Sequence, residues 1–463
     1  MIVRLRICFI LFLAALIPHT TAAQEPGFTF RGISLSGHVR WNTITSVRLG
    51  DRQDYTPGLF ERVSANDRLY NPLTSSIGLR LRSYTTPLFG FQVFSEFYSV
   101  NPVGSVSSDD VRSARSSKDL YYRKRDSSGG QTTSAGGIYV FAQAYIGFSK
   151  NGFGLKAGRF IFNSPLTNEN DAKMIPNTFQ GYEFSRRGDA AHVTVAYLTR
   201  QKLRDRRTFH SVIRYGASDG DNDDPANHRG LTGHALKAAG ISSTHMIVSG
   251  LELTPGDKSS FNLFNYYLHD LLSTFVVEAG YTVYRKGDFA ITPALKIVKQ
   301  NDKGAGRIGG SSLVGTSERK PDALNAFLGA VRIECLYGLS RFQAAYSCVE
   351  NRGDIVAPWR GHPTWGFTRP MATYNWTAGI RSVMLGYRYD LRESRLLRGF
   401  DLDFNLLRDN RKARNADSTT LYAGIDYTPP YMPGIYSRFR VLRSFGKAEY
   451  NYTQIRFEVR RNF

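Results

Sequence analysis

LKAGRFIFNSPLTNENDAKMIPNTFQG, residues Leu155 to Gly181, sets two apolar-alternating runs on either side of a polar insert. Alternation with a period of two marks a strand whose two faces meet different media. The insert carries Asn163, Asn168, Asn170 and Asp171, with Pro165 and Pro176 near its ends, so neither a helix nor an unbroken ladder is favoured. The stretch reads as strand, loop, strand.

Carried outward from it, the same period predicts strands at about residues 30–42, 75–84, 89–99, 138–148, 152–162, 178–187, 190–200, 243–254 and 259–269. A second half follows at 272–285, 287–299, 325–337, 340–350, 380–391, 399–408, 418–428, 434–443 and 450–463, giving 18 in all. Their connectors alternate in length. Tyr84–Leu88, Lys150–Gly152, Gly188–Asp189, Pro255–Lys258, Lys286–Gly287 and Gly338–Leu339 are tight turns, whereas 43–74, 100–137, 201–242, 300–324 and 351–379 are long and polar. Short turns at one end and long loops at the other are the pattern of an all-β, 18-stranded antiparallel transmembrane barrel. A propeller would repeat at a fixed period, and no such repeat is present.

Composition agrees. With 43 Gly, 26 Tyr and 30 Phe in 463 residues, and a mean hydropathy of −0.32, the chain is aromatic-rich yet not hydrophobic on average, which suits strands that turn only alternate residues to lipid. Residues 1–23 read as a secretory signal: Arg4 and Arg6, an apolar run from Ile7 to Ile17, then Thr21-Ala22-Ala23 as the cleavage site. That leaves 24–463 as one barrel domain. Past residue 23 no apolar run is long enough for a membrane helix. Cys335 and Cys348, the two cysteines outside the signal, fall on outward positions at a spacing wrong for a facing pair, and are expected to be free.

Within the opening stretch, Asp171-Ala-Lys-Met-Ile-Pro-Asn-Thr-Phe-Gln-Gly181 follows a Lys156-Ala-Gly158-Arg159 strand. This run resembles the OprD-type substrate-specific outer-membrane porins, in which Asp-Ser-Arg-x-x-Pro-x-Thr-Phe-x-Gly occupies the third loop; here Ala172 replaces the Ser and Lys173 the Arg. The resemblance implies a passive channel of 18 strands, an inward-folded third loop that narrows it, and a basic ladder that draws carboxylate-bearing solutes through. Asp171, Lys173 and Asn177 are the candidate constriction residues. The chain ends in Phe463, as barrel proteins of the outer membrane commonly do, although Arg461 departs from the apolar residue usual there.

Strand parity sorts the charges without reference to any family. If Ile33, Leu35, Val39 and Trp41 face lipid, His38 and Arg40 face the lumen. The same argument turns Arg80 and Arg82, Arg438 and Arg440, and Arg456 and Arg460 inward, the last two beside Glu458. A barrel closes its last strand on its first, so these arginines form one basic wall. Asp390, Asp401, Asp403 and Asp426 are inward with Arg388, as are Lys156, Lys296, Arg332 and Arg341. A positive stripe in a low-dielectric tube concentrates anions, and arginine binds carboxylate bidentately. Generic solvation of a wet lumen is the alternative account of the same charges.

Other chemistry is unsupported. Asp219-Gly-Asp221-Asn-Asp223 opens like a calcium loop, but Asp224 stands where Gly is required. No histidine pair has metal-ligand spacing, and no Gly-x-Ser-x-Gly elbow occurs, so neither an enzyme nor a cofactor is expected. Nucleic acid is not an expected partner of an exported chain. The net charge of +21 instead suits lipopolysaccharide phosphates and outer-membrane lipid. The expected product is a cell outer membrane porin for amino acids, organic acids or short peptides, monomeric, with a trimer as the other arrangement. A nonspecific or sugar porin is the nearest competitor, and a barrel acting through its loops by adhesion or catalysis is the next.

Overall fold

All 18 expected strands form. The computed structural model describes Gly27 to Phe463 except residue 31 and residues 49–69, 105–119, 126–130, 170–173, 205–206, 213–239, 241–244, 305–324, 354, 356, 358–366, 372–374, 412–416 and 447–450. In chain order the barrel strands are β1 (Ile33–Arg48), β2 (Tyr70–Thr85), β3 (Phe91–Val103), β4 (Ile138–Lys150), β5 (Phe153–Phe160), β6 (Thr178–Arg187), β7 (Ala191–Lys202), β8 (Met246–Leu253) and β9 (Ser259–Leu268). They continue as β10 (Leu272–Tyr281), β11 (Phe289–Asp302), β12 (Ala326–Tyr337), β13 (Ser340–Val349), β14 (Ile380–Leu391), β15 (Phe400–Arg411), β16 (Ser418–Tyr427), β17 (Ile435–Gly446) and β18 (Tyr452–Asn462). Each pairs antiparallel with the next, and β18 pairs with β1 from Arg48↔Tyr452 to His38↔Asn462. Closure leaves no long edge with unpaired amides, the condition for crossing hydrocarbon with strands.

The largest boundary differences fall in the first hairpin. β1 was expected over 30–42 but runs to Arg48, and β2 begins at Tyr70 rather than 75. Their shared upper halves are rich in Asn, Thr and Ser, so the ladder continues where hydropathy no longer alternates. Gly27–Phe30 forms a separate short strand that pairs with β1 from Phe30↔Ile33 to Gly27↔Ser36, extending the seam just beyond the end of β18.

Alternate residues divide between two surfaces. Tyr139, Phe141 and Ile146 on β4, Val383 and Leu385 on β14, and Phe404 and Leu406 on β15 are exposed on the outside, where they make an apolar belt. At the short-turn end Phe89, Phe91, Phe153, Tyr337 and Tyr431 crowd the rim, as in an interfacial aromatic girdle. The turns there are tight; between β4 and β5 only Asn151 (φ 51°) and Gly152 (φ 76°) intervene, the pair of positive φ values of a type I′ hairpin. Cys335 and Cys348 are both free.

Inside, the barrel is not uniformly wet. At the long-loop end the inward residues of β5 to β14, including Phe160, Leu198, Val248, Tyr266, Val298 and Leu328, join one buried apolar cluster with Ile355, Ala357 and Trp376. These last three belong to the connector between β13 and β14. Loops therefore pack against one side of the lumen.

Candidate functional site

The even-numbered residues of β17, β18, β1 and β2 point inward and bring the predicted arginines together. Register sets Arg440 opposite Arg456, Arg438 opposite Glu458, Arg40 opposite Arg460, and His38 opposite Arg80. Arg40 donates from Nη2 to Glu458 Oε2 at 2.6 Å, with both side chains buried. Arg438 grips Asp426 with Nε–Oδ1 and Nη2–Oδ2 contacts of 2.6 Å each, and Tyr436 donates its hydroxyl to the same carboxylate at 3.0 Å. Farther round, Arg388 donates Nε to Asp401 Oδ1 at 2.8 Å, and Asp401 lies opposite Asp426 in the ladder. Arg388 is thus separated from the wall by two strands but linked to it through these acids.

Arg440, Arg456 and Arg460 differ from those three. None has a carboxylate partner among the described residues, and the Nε of each is buried without an acceptor there. Arg456 donates Nη2 to Gln454 Oε1 at 2.9 Å, and Arg460 stacks over Tyr436 at 5.0 Å. Arg440, Arg204 and Arg369 surround Arg456 as like charges. Arg204 follows β7 and Arg369 belongs to the connector before β14, so loop residues add to the charge of the wall. Desolvated cationic donors without acceptors are costly unless an anion supplies them.

Arg80 and Arg82 meet a different arrangement. Glu96 on β3 is fully buried and accepts from Arg82 Nε at 3.0 Å and from the Tyr98 hydroxyl at 2.8 Å, with Arg80 Nε 3.6 Å away. Gln143 Nε2 also donates to this carboxylate. Gln143 faces inward because a β-bulge interrupts the β3–β4 register beside Glu96, leaving Ala142 as the extra residue. Its Oε1 then accepts the Ile161 backbone N–H at 3.0 Å, where the third loop begins. The arginines of β2 are therefore coupled to the root of the loop.

The third loop itself folds into the barrel. Near its start Tyr266 of β9 bonds Ser164 Oγ at 2.6 Å and accepts the Leu166 N–H at 3.0 Å. Near its end Met174 and Ile175 are buried against Tyr98, Val100 and Val140, and the Met174 sulfur lies within 3.3 Å of where a Cβ on Gly78 of β2 would sit. Lys202, fully buried beyond a second bulge in β7, donates Nζ to the Pro176 carbonyl at 2.8 Å. Asn177 is buried and its Oδ1 accepts the Arg204 N–H at 2.7 Å. Asp171 and Lys173 lie outside the described residues. The described start of the loop is thus held at β9 and its described end at β2.

A second inward segment, Phe367 to Met371, has no counterpart in the sequence reading. Gln343 donates to the Phe367 carbonyl at 3.0 Å, Ser347 and Thr368 hydroxyls meet at 2.5 Å, and Arg332 lies over the Phe367 ring at 4.8 Å. Arg369 lies over Trp376 at 5.0 Å. The signal for it was present in the strands. Segments such as Met246-Ile-Val and Phe275-Val-Val are apolar on both faces toward the long-loop end, which means that the inner face is covered.

No family model and no curated protein matches the sequence. Solved structures do match by shape. OccAB3 of Acinetobacter baumannii superposes with a TM-score of 0.69 at 11% identity, covering 93% of this chain and 99% of that one. OccK9 (OpdG) of Pseudomonas aeruginosa gives 0.66 at 15% identity over 93% and 98%. The chain has the OprD-type porin fold. A third structure, Pseudomonas aeruginosa OpdK solved with vanillate, matches at 0.65 and 14% identity over 93% and 98% of the two chains. In this OprD-type barrel the strand count and closure expected from alternation are both present.

Proposed function

We propose that this chain is a passive channel of the Gram-negative outer membrane that conducts small carboxylate-bearing solutes, amino acids, organic acids or short peptides, exported by way of residues 1–23 and acting as a monomer. Transport rather than catalysis is the role of its lumen. The observation that carries the reading is the row of Arg440, Arg456 and Arg460, inward cations without an acidic partner among the described residues. Loop packing on the β5–β14 side confines solute to the side where this row stands. A carboxylate entering from the long-loop end is attracted by Arg456 and its loop neighbours, then handed along toward Arg460; several moderate sites in series let it leave as readily as it enters. Arg40, Arg80, Arg82, Arg388 and Arg438, already tied to acids, shape the wall and supply exchangeable contacts. Asp171 and Lys173 complete the narrowing from the third loop. OpdK, of the same fold, was solved with vanillate, itself a carboxylate.

Liposome swelling compares gluconate with glucose, solutes of similar size that differ in charge. Faster gluconate entry, lost in Arg440→Ala and Arg456→Ala, is the expected result. Equal rates for both solutes, unchanged by the substitutions, would leave a nonspecific porin.

A further inference from the structure

The outer surface of strands β12 to β17 carries a hollow of 710 Å³ that solute passage does not use. One row of its lining crosses the strands from Leu385 through Leu406 and Leu421 to Arg443. In the adjacent row Ala423 lies between Phe404 and Val441, and its small side chain opens the space between them. Arg443 shares the outward parity of Phe439 and Val441, and a guanidinium facing lipid is costly unless it reaches water or an anion.

Arg443 does not stand alone. Its guanidinium stacks on Phe445 at 4.6 Å, and Phe445 is the register partner of Thr419 on β16. From the other side Arg408, outward on β15, donates Nη1 to Thr419 Oγ1 at 2.9 Å. Two guanidiniums thus reach one cross-strand pair, Arg408 from the neighbouring strand and Arg443 from two residues back along β17. Their remaining contacts are weak: Arg443 Nη1 lies 3.5 Å from Thr453 Oγ1, and Arg408 Nη2 lies 3.2 Å from the exposed carboxylate of Asp417. Both arginines stand within the last four residues of their strands, at the long-loop end.

We propose that this surface binds the lipid A of lipopolysaccharide, with a phosphate between Arg408 and Arg443 and an acyl chain in the hollow beside them. The proposal rests on the outer-membrane reading of the barrel. Lipid A rather than a phospholipid is the occupant because the cations sit at the long-loop end, the outer-leaflet side, with the apolar hollow beginning toward the membrane centre. Phospholipid headgroups of the inner leaflet would meet the short-turn end.

The test is native mass spectrometry of the delipidated full-length barrel titrated with diphosphoryl lipid A, dephosphorylated lipid A and phosphatidylglycerol. Losing one charge-assisted contact weakens binding by roughly tenfold, so Arg443→Gln and Arg408→Gln should each lose about that factor for diphosphoryl lipid A and none for the dephosphorylated form. Ala423→Trp, which fills the hollow, should weaken both forms. Equal affinity of wild type and variants, or phosphatidylglycerol binding as tightly with the same dependence on the arginines, would overturn the assignment. Conductance of the same preparations reports separately on the channel, since neither arginine faces the lumen.

Discussion

Glu96→Gln should both destabilise the barrel and make it more anion-selective. The carboxylate is fully buried and faces Arg82 at 3.0 Å, Arg80 at 3.6 Å, Tyr98 and Gln143. The amide keeps the shape and an acceptor for Tyr98 but removes the charge shared by two arginines. Breaking a buried ion pair costs about 3–5 kcal/mol. Arg80 and Arg82 each retain about a quarter of their side-chain exposure, so lumen water recovers part of that, and a loss of about 2–3 kcal/mol is expected. With its oxygen held by Tyr98 and Gln143, the new amide turns its NH2 toward Arg82, a donor facing a donor where the carboxylate had accepted. Urea unfolding in detergent, followed by the loss of heat-modifiable migration, measures the first effect. Reversal potential under a salt gradient measures the second, because two unpaired cations join the wall. Unfolding at the wild-type urea concentration together with wild-type selectivity would refute the account of Glu96 as the counter-ion that ties the wall to the loop.

Four further substitutions probe the same framework. Tyr266→Phe removes the hydroxyl that holds Ser164 and Leu166, and should cost about 1–2 kcal/mol in detergent unfolding while exposing the third loop to limited proteolysis; unaltered protease resistance would count against its anchoring role. Lys202→Met deletes the donor to the Pro176 carbonyl, so larger and noisier single-channel currents are expected, and a trace indistinguishable from wild type would be contrary. Arg438→Ala leaves Asp426 without its bidentate partner and should move selectivity toward cations. Asp426→Asn should move it the other way, and a shift of both in one direction would contradict the pairing.

Much of the barrel was legible because its physics is periodic. Phe404, Leu406, Asp401 and Asp403 alternate so cleanly that strand, face and lumen residue follow from position alone. The basic wall followed from parity plus closure, and β18 does pair with β1 along that seam. What parity does not carry is which inward charges cancel. Arg438 and Arg440 are equivalent in the sequence, yet Asp426 neutralises only the first, a consequence of the cross-strand register between β16 and β17. Bulges were equally hidden: Ala142 adds one residue to β4 and thereby turns Gln143 toward Glu96. The connector between β13 and β14 reads as long and polar by its Asn, Arg, Asp, Gly and Thr content, although its buried Ile355 and Ala357 sit in the apolar run Ile-Val-Ala-Pro-Trp at 355–359. The two-faced apolar strands beneath it held the better clue.

On the proposed function, inward arginines without acidic partners among the described residues select carboxylates. Single-channel recording in a planar bilayer under a salt gradient, for wild type and for Arg440, Arg456 and Arg460 changed together to Ala, tests it most directly. The account predicts an anion-selective wild-type channel whose reversal potential moves toward zero or beyond in the triple variant, with conductance steps retained. A cation-selective wild type, or a triple variant with unchanged selectivity, would contradict it.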